Sequence, residues 1–94
     1  METKEAVVFV HGLYMTGLEM SWLRLRIAHA GFETHQFHYH TVLAPVRANA
    51  EHLADFIASL DAQTLHLVGH SLGGLVILRL FELGAEVPPG RVVL

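Results

Sequence analysis

Leu65-His66-Leu67-Val68-Gly69-His70-Ser71-Leu72-Gly73-Gly74 is the stretch on which the reading of this chain turns. A short apolar run ends at Gly69 and reaches a single serine. It then passes into a segment where Leu75, Val76, Leu80 and Leu83 recur at helical spacing. Gly69-His70-Ser71-Leu72-Gly73 fits the pattern G-x-S-x-G, a tight strand-to-helix turn known as a nucleophile elbow. Glycine stands two positions to either side of the serine because a β-carbon there would crowd the turn. Strained backbone angles are expected at Ser71, with its Oγ lifted from the sheet edge. A helix starting at Leu72 would aim a backbone N–H and the positive end of its dipole at any anion forming beside the serine. Three fixed positions also occur by chance, and the competing reading is a glycine-rich βα turn with a surface serine. The apolar strand before the motif and the helical pattern after it favour the elbow.

Working back from that turn, Val46, Ala50, Leu53, Ile57 and Leu60 recur at spacings of four, three, four and three. They predict an amphipathic helix, with Pro45 in its first turn and Asn49, Glu51, Asp55 and Ser59 off the apolar stripe. Ala6–Val10 is continuously apolar and reads as a buried parallel strand. Ser21 to Ala30 reads as a helix capped by Ser21, with Trp22, Leu23, Ile27 and Ala30 facing inward and Gly31 just past its end. Thr34–Tyr39 alternates loosely, and its polar content places it at the edge of the sheet. Arg91–Leu94 begins another strand after the loop Val87-Pro88-Pro89-Gly90. Strands alternating with helices imply a parallel sheet with right-handed crossovers.

The chain has 94 residues, of which 52% are hydrophobic. It can bury one modest core and no second domain. A net charge of −3 with no Lys/Arg cluster speaks against nucleic acid as a partner. Cysteine is absent, so neither disulfides nor thiolate chemistry contribute. No apolar run approaches a membrane span, and the polar start Met1–Glu5 is unlike a signal peptide. A cytoplasmic location is the default expectation. The mean hydropathy of +0.41 is high for a small domain. It suggests faces that expect a cover, from more chain, a partner subunit or a lipid-like ligand.

Three features together make the sequence resemble the N-terminal part of an α/β-hydrolase, on the lipase and esterase side. They are a strand leading into His11-Gly12-Leu13, the Asn49-Ala50-Glu51-His52-Leu53 helix ahead of an apolar strand, and Gly69-His70-Ser71-Leu72-Gly73-Gly74. The resemblance implies a three-layer αβα sandwich with a mostly parallel sheet. Residues 1–94 would form the N-terminal part of one such domain, an incomplete one. Thr34–Tyr39 would pair with Ala6–Val10, with Thr64–Val68 on its other side, followed by Val92–Leu94. It implies Ser71 as nucleophile and the backbone N–H groups of Leu13 and Leu72 as the oxyanion hole. Tyr14 and Met15 would flank the cleft, touching an acyl chain or merely covering the core, and His70 would pack or bond to a backbone carbonyl beside the site or contact the substrate, a small acyl ester or lipid-like molecule; no cofactor is implied. The sequence departs from the family in one respect. After Ser71 the only acids are Glu82 and Glu86, and there is no histidine. An unaided serine hydroxyl is a poor nucleophile, so these residues alone are expected to be inactive.

The eight histidines invite other readings. His11 is expected to shape the oxyanion loop by hydrogen bonding, His66 to bond between elements, and His29, His35 and His52 to be solvated. His38 and His40 would share a strand face, but no third metal ligand is evident, and no metal site is expected. A thioesterase or amidase would share every feature seen. A catalytically silent module that keeps the elbow, self-associating through an unfinished sheet edge or apolar helix faces, is the alternative from another class.

Overall fold

The computed structural model describes residues 5–11, 21–39 and 45–94. Among these residues four strands, β1 (Glu5–Val10), β2 (Glu33–Phe37), β3 (Thr64–Gly69) and β4 (Val92–Val93), alternate with three helices, α1 (Ser21–His29), α2 (Val46–Leu60) and α3 (Leu72–Glu82). All pairings are parallel, in the order β2-β1-β3-β4. The polar strand is at the edge, as its composition implied, and the strand carrying the serine lies beside β1. The register sets Val10 opposite Gly69 and Phe37, so β1 and β3 end together.

Alternation along the strands sorts the core into two faces. Val8, Val10, Leu65 and Leu67 join Leu53 and Ile57 of α2 and Val76, Ile77 and Leu80 of α3 in the larger cluster. Val7 and Phe9 point the other way and, among the described residues, pack with Ile27 of α1, Phe32 and Val68. The layers are therefore αβα, with very unequal cover on the two faces from the described residues.

The inward stripe expected of α1 is corrected by this asymmetry. No residue of α1 is buried, and Trp22 is 67% exposed, with the Arg26 guanidinium 4.7 Å above its ring. Only Ile27 reaches the sheet. Ser21 is the first residue of the helix rather than a residue ahead of it. In α2 the stripe holds from Ala50 to Leu60, but Asn49, expected off it, is buried as well. Pro45 stands at the N-cap, where its carbonyl accepts the Asn49 N–H at 3.1 Å.

Candidate active site

The serine turn is built by close approach. β3 ends at Gly69, and α3 begins at Leu72. Ser71 between them has φ 56° and ψ −118°, a combination that a residue with a β-carbon seldom adopts. Neighbouring backbone holds it there. The His70 N–H donates to the Val10 carbonyl at 3.2 Å, while those of Gly73 and Gly74 donate to the His70 and Ser71 carbonyls at 3.0 and 2.9 Å.

The flanking glycines are required by space. A β-carbon on Gly69 would stand 2.8 Å from Ile77 Cδ1 and 2.9 Å from the Gly74 nitrogen. One on Gly73 would run into the Val10 and His11 carbonyls. Helix α3 can thus start hard against the end of β1, with its first turn at the carboxyl edge of the sheet.

Ser71 is exposed, and its side chain does not cap the helix it precedes. Among the described residues no acceptor takes the Leu72 N–H, the first amide of α3. A helix start leaves such donors over, and they carry the positive end of the dipole.

His11 follows β1 and is 2% exposed, with its ring stacked on Tyr39 at 4.5 Å between centroids. The Tyr39 hydroxyl donates to the His11 carbonyl. Burial pushes the Tyr39 phenol up to about 12, so it stays a donor at any ordinary pH. His38 is 6.3 Å from His11 by ring centroids. In the sequence Tyr39 stands out only as a strand end. The alternation of Phe37 with Tyr39 was the available signal, and both join the same core face.

His70 is exposed, and of its groups the backbone amide makes the bond to β1. Leu13, Tyr14 and Met15 lie outside the described residues, as does His40. Glu82, the nearer acid after Ser71, pairs with Arg79 at 3.1 Å on the exposed side of α3. No group of three or more metal-ligating side chains occurs among the described residues.

His66 fulfils its expected bridging role at the other end of the sheet. Its Nδ1 accepts the Arg91 N–H at 3.0 Å, which leaves Nε2 to donate to Glu5 at 2.6 Å. One imidazole thereby joins β3 to β1 and to the residue just ahead of β4. Two grooves, of about 400 Å³ beside Ile57 and Val87 and of about 370 Å³ over Val7 and Val68, have no elbow residue in their walls.

No protein-family model matches the chain, and no curated protein does. Solved structures do. The ydeN gene product from B. subtilis is 23% identical, with a TM-score of 0.72 over 90% of this chain and 46% of that one. A lipase-esterase related protein from Clostridium acetobutylicum ATCC 824 is 19% identical, with a TM-score of 0.69 over 97% of this chain and 41% of that one. The chain spans less than half the length of either. No helix among the described residues is long and apolar enough to cross a membrane. At these identities the likeness is one of fold, and the fold is α/β, a parallel sheet with helices on both faces.

Proposed function

We propose that this chain carries the nucleophile of a serine carboxyl-ester hydrolase. The observation that supports the reading best is the strained backbone at Ser71, held at the start of a helix whose first amide has no acceptor among the described residues. Strain of this kind costs on the order of 1–3 kcal/mol and persists only where surrounding structure enforces it. A surface serine on a glycine-rich turn would have no reason to keep it. The fold shared with a lipase-esterase related protein points the same way.

Ser71 Oγ attacks the ester carbonyl carbon as a general base takes its proton. The Leu72 N–H, with that of Leu13, holds the oxyanion, and collapse expels the alcohol with the returned proton. Water then attacks the acyl-enzyme carbonyl and releases the carboxylic acid and free Ser71. The base and its acid partner come from sequence beyond these 94 residues, in keeping with the greater length of both similar structures. Tyr14, Met15 and His70 are the residues we assign to contact with the acyl group, on the sequence resemblance alone.

The test is labelling of the protein, at its full natural length, by a fluorophosphonate. Attachment mapped to Ser71, lost in Ser71→Ala, is expected. A folded protein that takes no label there overturns the reading. The silent interaction module is favoured by the exposed apolar residues Leu75, Leu78 and Phe81 on α3, with Leu94 near the start of the same helix. It requires association, so a stable monomer at low concentration removes it.

A further inference from the structure

We infer that Tyr39 is a positioning residue for Ser71, acting through the His11 carbonyl. The inference rests on the hydrolase reading of Ser71 and adds to it a residue distant in sequence from the elbow.

Two carbonyls at the end of β1 are gripped from three directions. The His70 N–H donates to Val10. Gly73, in the first turn of α3, packs against the carbonyls of both Val10 and His11. From beyond the far side of β1, the Tyr39 hydroxyl donates to the His11 carbonyl, and its ring stacks on the His11 ring. Tyr39 follows the edge strand β2, and its ring lies at 5.8 Å from Phe37, itself buried in the core. The phenol is therefore anchored to the core through Phe37.

The consequence follows from the planarity of the peptide group. A carbonyl held in direction fixes the whole peptide plane to which it belongs. Were the His11 carbonyl free to tilt, the surface that confines Gly73 would soften. The turn that forces Ser71 to φ 56° would then relax toward an ordinary conformation. A hydroxyl bond from a half-buried phenol resists that tilt. Gln36, on the neighbouring position, bonds instead to the Phe9 carbonyl at 3.2 Å.

Tyr39→Phe keeps the ring stack and deletes the donor. In the full-length protein, the maximal rate of fluorophosphonate labelling at Ser71 is expected to fall about tenfold, with the half-saturating concentration unchanged. Para-aminophenylalanine at position 39 restores a donor and should restore the rate. Independently of activity, the amides of His70, Gly73 and Gly74 should exchange with deuterium roughly tenfold faster in Tyr39→Phe, while that of Leu67 in the sheet centre keeps its protection. Unchanged labelling and exchange, or a loss of protection across the whole sheet, overturns the inference. If the wild-type protein takes no label, the hydrolase reading fails by itself, and the exchange measurement still decides whether Tyr39 holds the elbow.

Discussion

Gly73 lies directly against the Val10 carbonyl: a β-carbon at position 73 would overlap that oxygen and stand 2.7 Å from the His11 oxygen. Both obstacles are buried backbone, one at the end of β1 and one just past it, so no side-chain rotation clears them. Gly73→Ala is expected to cost about 1–3 kcal/mol in urea unfolding. Gly74 is the contrast. Its added β-carbon would meet only the Leu94 side chain at 3.6 Å, an ordinary contact. Gly74→Ala should be neutral or stabilising by up to about 1 kcal/mol, since it removes a glycine from a helix.

Ser71 sets stability against chemistry. Its φ of 56° with ψ −118° is easier for glycine than for any residue with a β-carbon. Ser71→Gly should therefore raise the unfolding free energy by about 1 kcal/mol while abolishing phosphonate labelling. Ser71→Ala abolishes labelling without that gain. A Ser71→Gly protein no more stable than Ser71→Ala would mean that the turn is not strained.

The raised Tyr39 phenol gives the protein an alkaline limit. An unfolded tyrosine ionises near 10, whereas Tyr39 in the folded chain holds its proton to about 12. Its contribution is fully present below the unfolded value. It is lost as pH rises from about 10 to about 12, because over that range only the unfolded state gives up the proton. Unfolding measured from pH 8 to 12 should show a steeper alkaline decline in the wild type than in Tyr39→Phe. Equal slopes would show that the phenol is not shielded.

His66 ties β3 to β1 and to the residue just ahead of β4, at the end of the sheet remote from Ser71. His66→Leu removes both the bond to Glu5 and the acceptor for the Arg91 N–H. Glu5 is 46% exposed at its side chain, so water replaces much of the first bond. The Arg91 amide loses more. A destabilisation of about 1 kcal/mol is expected, with faster hydrogen exchange at Leu67, whose N–H donates to Arg91 across the same pair of strands.

The unequal cover of the two sheet faces is tested by a pair of truncations. Trp22 is 67% exposed and Leu53 fully buried. Trp22→Ala should change stability by less than about 1 kcal/mol, most of it the lost stacking of Arg26. Leu53→Ala should cost about 2–5 kcal/mol. Similar losses would mean that α1 packs against the sheet after all.

Much of this was open to reading from local pattern. The strand ahead of the serine, the amphipathic run of α2, the edge position of the polar strand and the two glycines beside Ser71 all follow from side-chain period or from the space a turn allows. Those are properties of neighbours along the chain. Helix α1 resisted such reading because its apolar residues do not form one stripe. Whether Trp22 or Ile27 faced the sheet depended on how far the helix lay from Val7 and Phe9. Asn49 is polar by type, and only its place against the core reveals its burial.

The chain's own residues dictated the alternation of strands and helices, the buried central strand and a crowded bend at Ser71, because periodicity and the absence of β-carbons act over a few positions. Tertiary packing alone decided that Tyr39 would reach the His11 carbonyl, that His66 would join Glu5 to Arg91, and that one sheet face would be thickly covered and the other thinly. Those contacts link residues 25 to 61 positions apart. Their partners are chosen by strand order and register, which no short window of sequence contains.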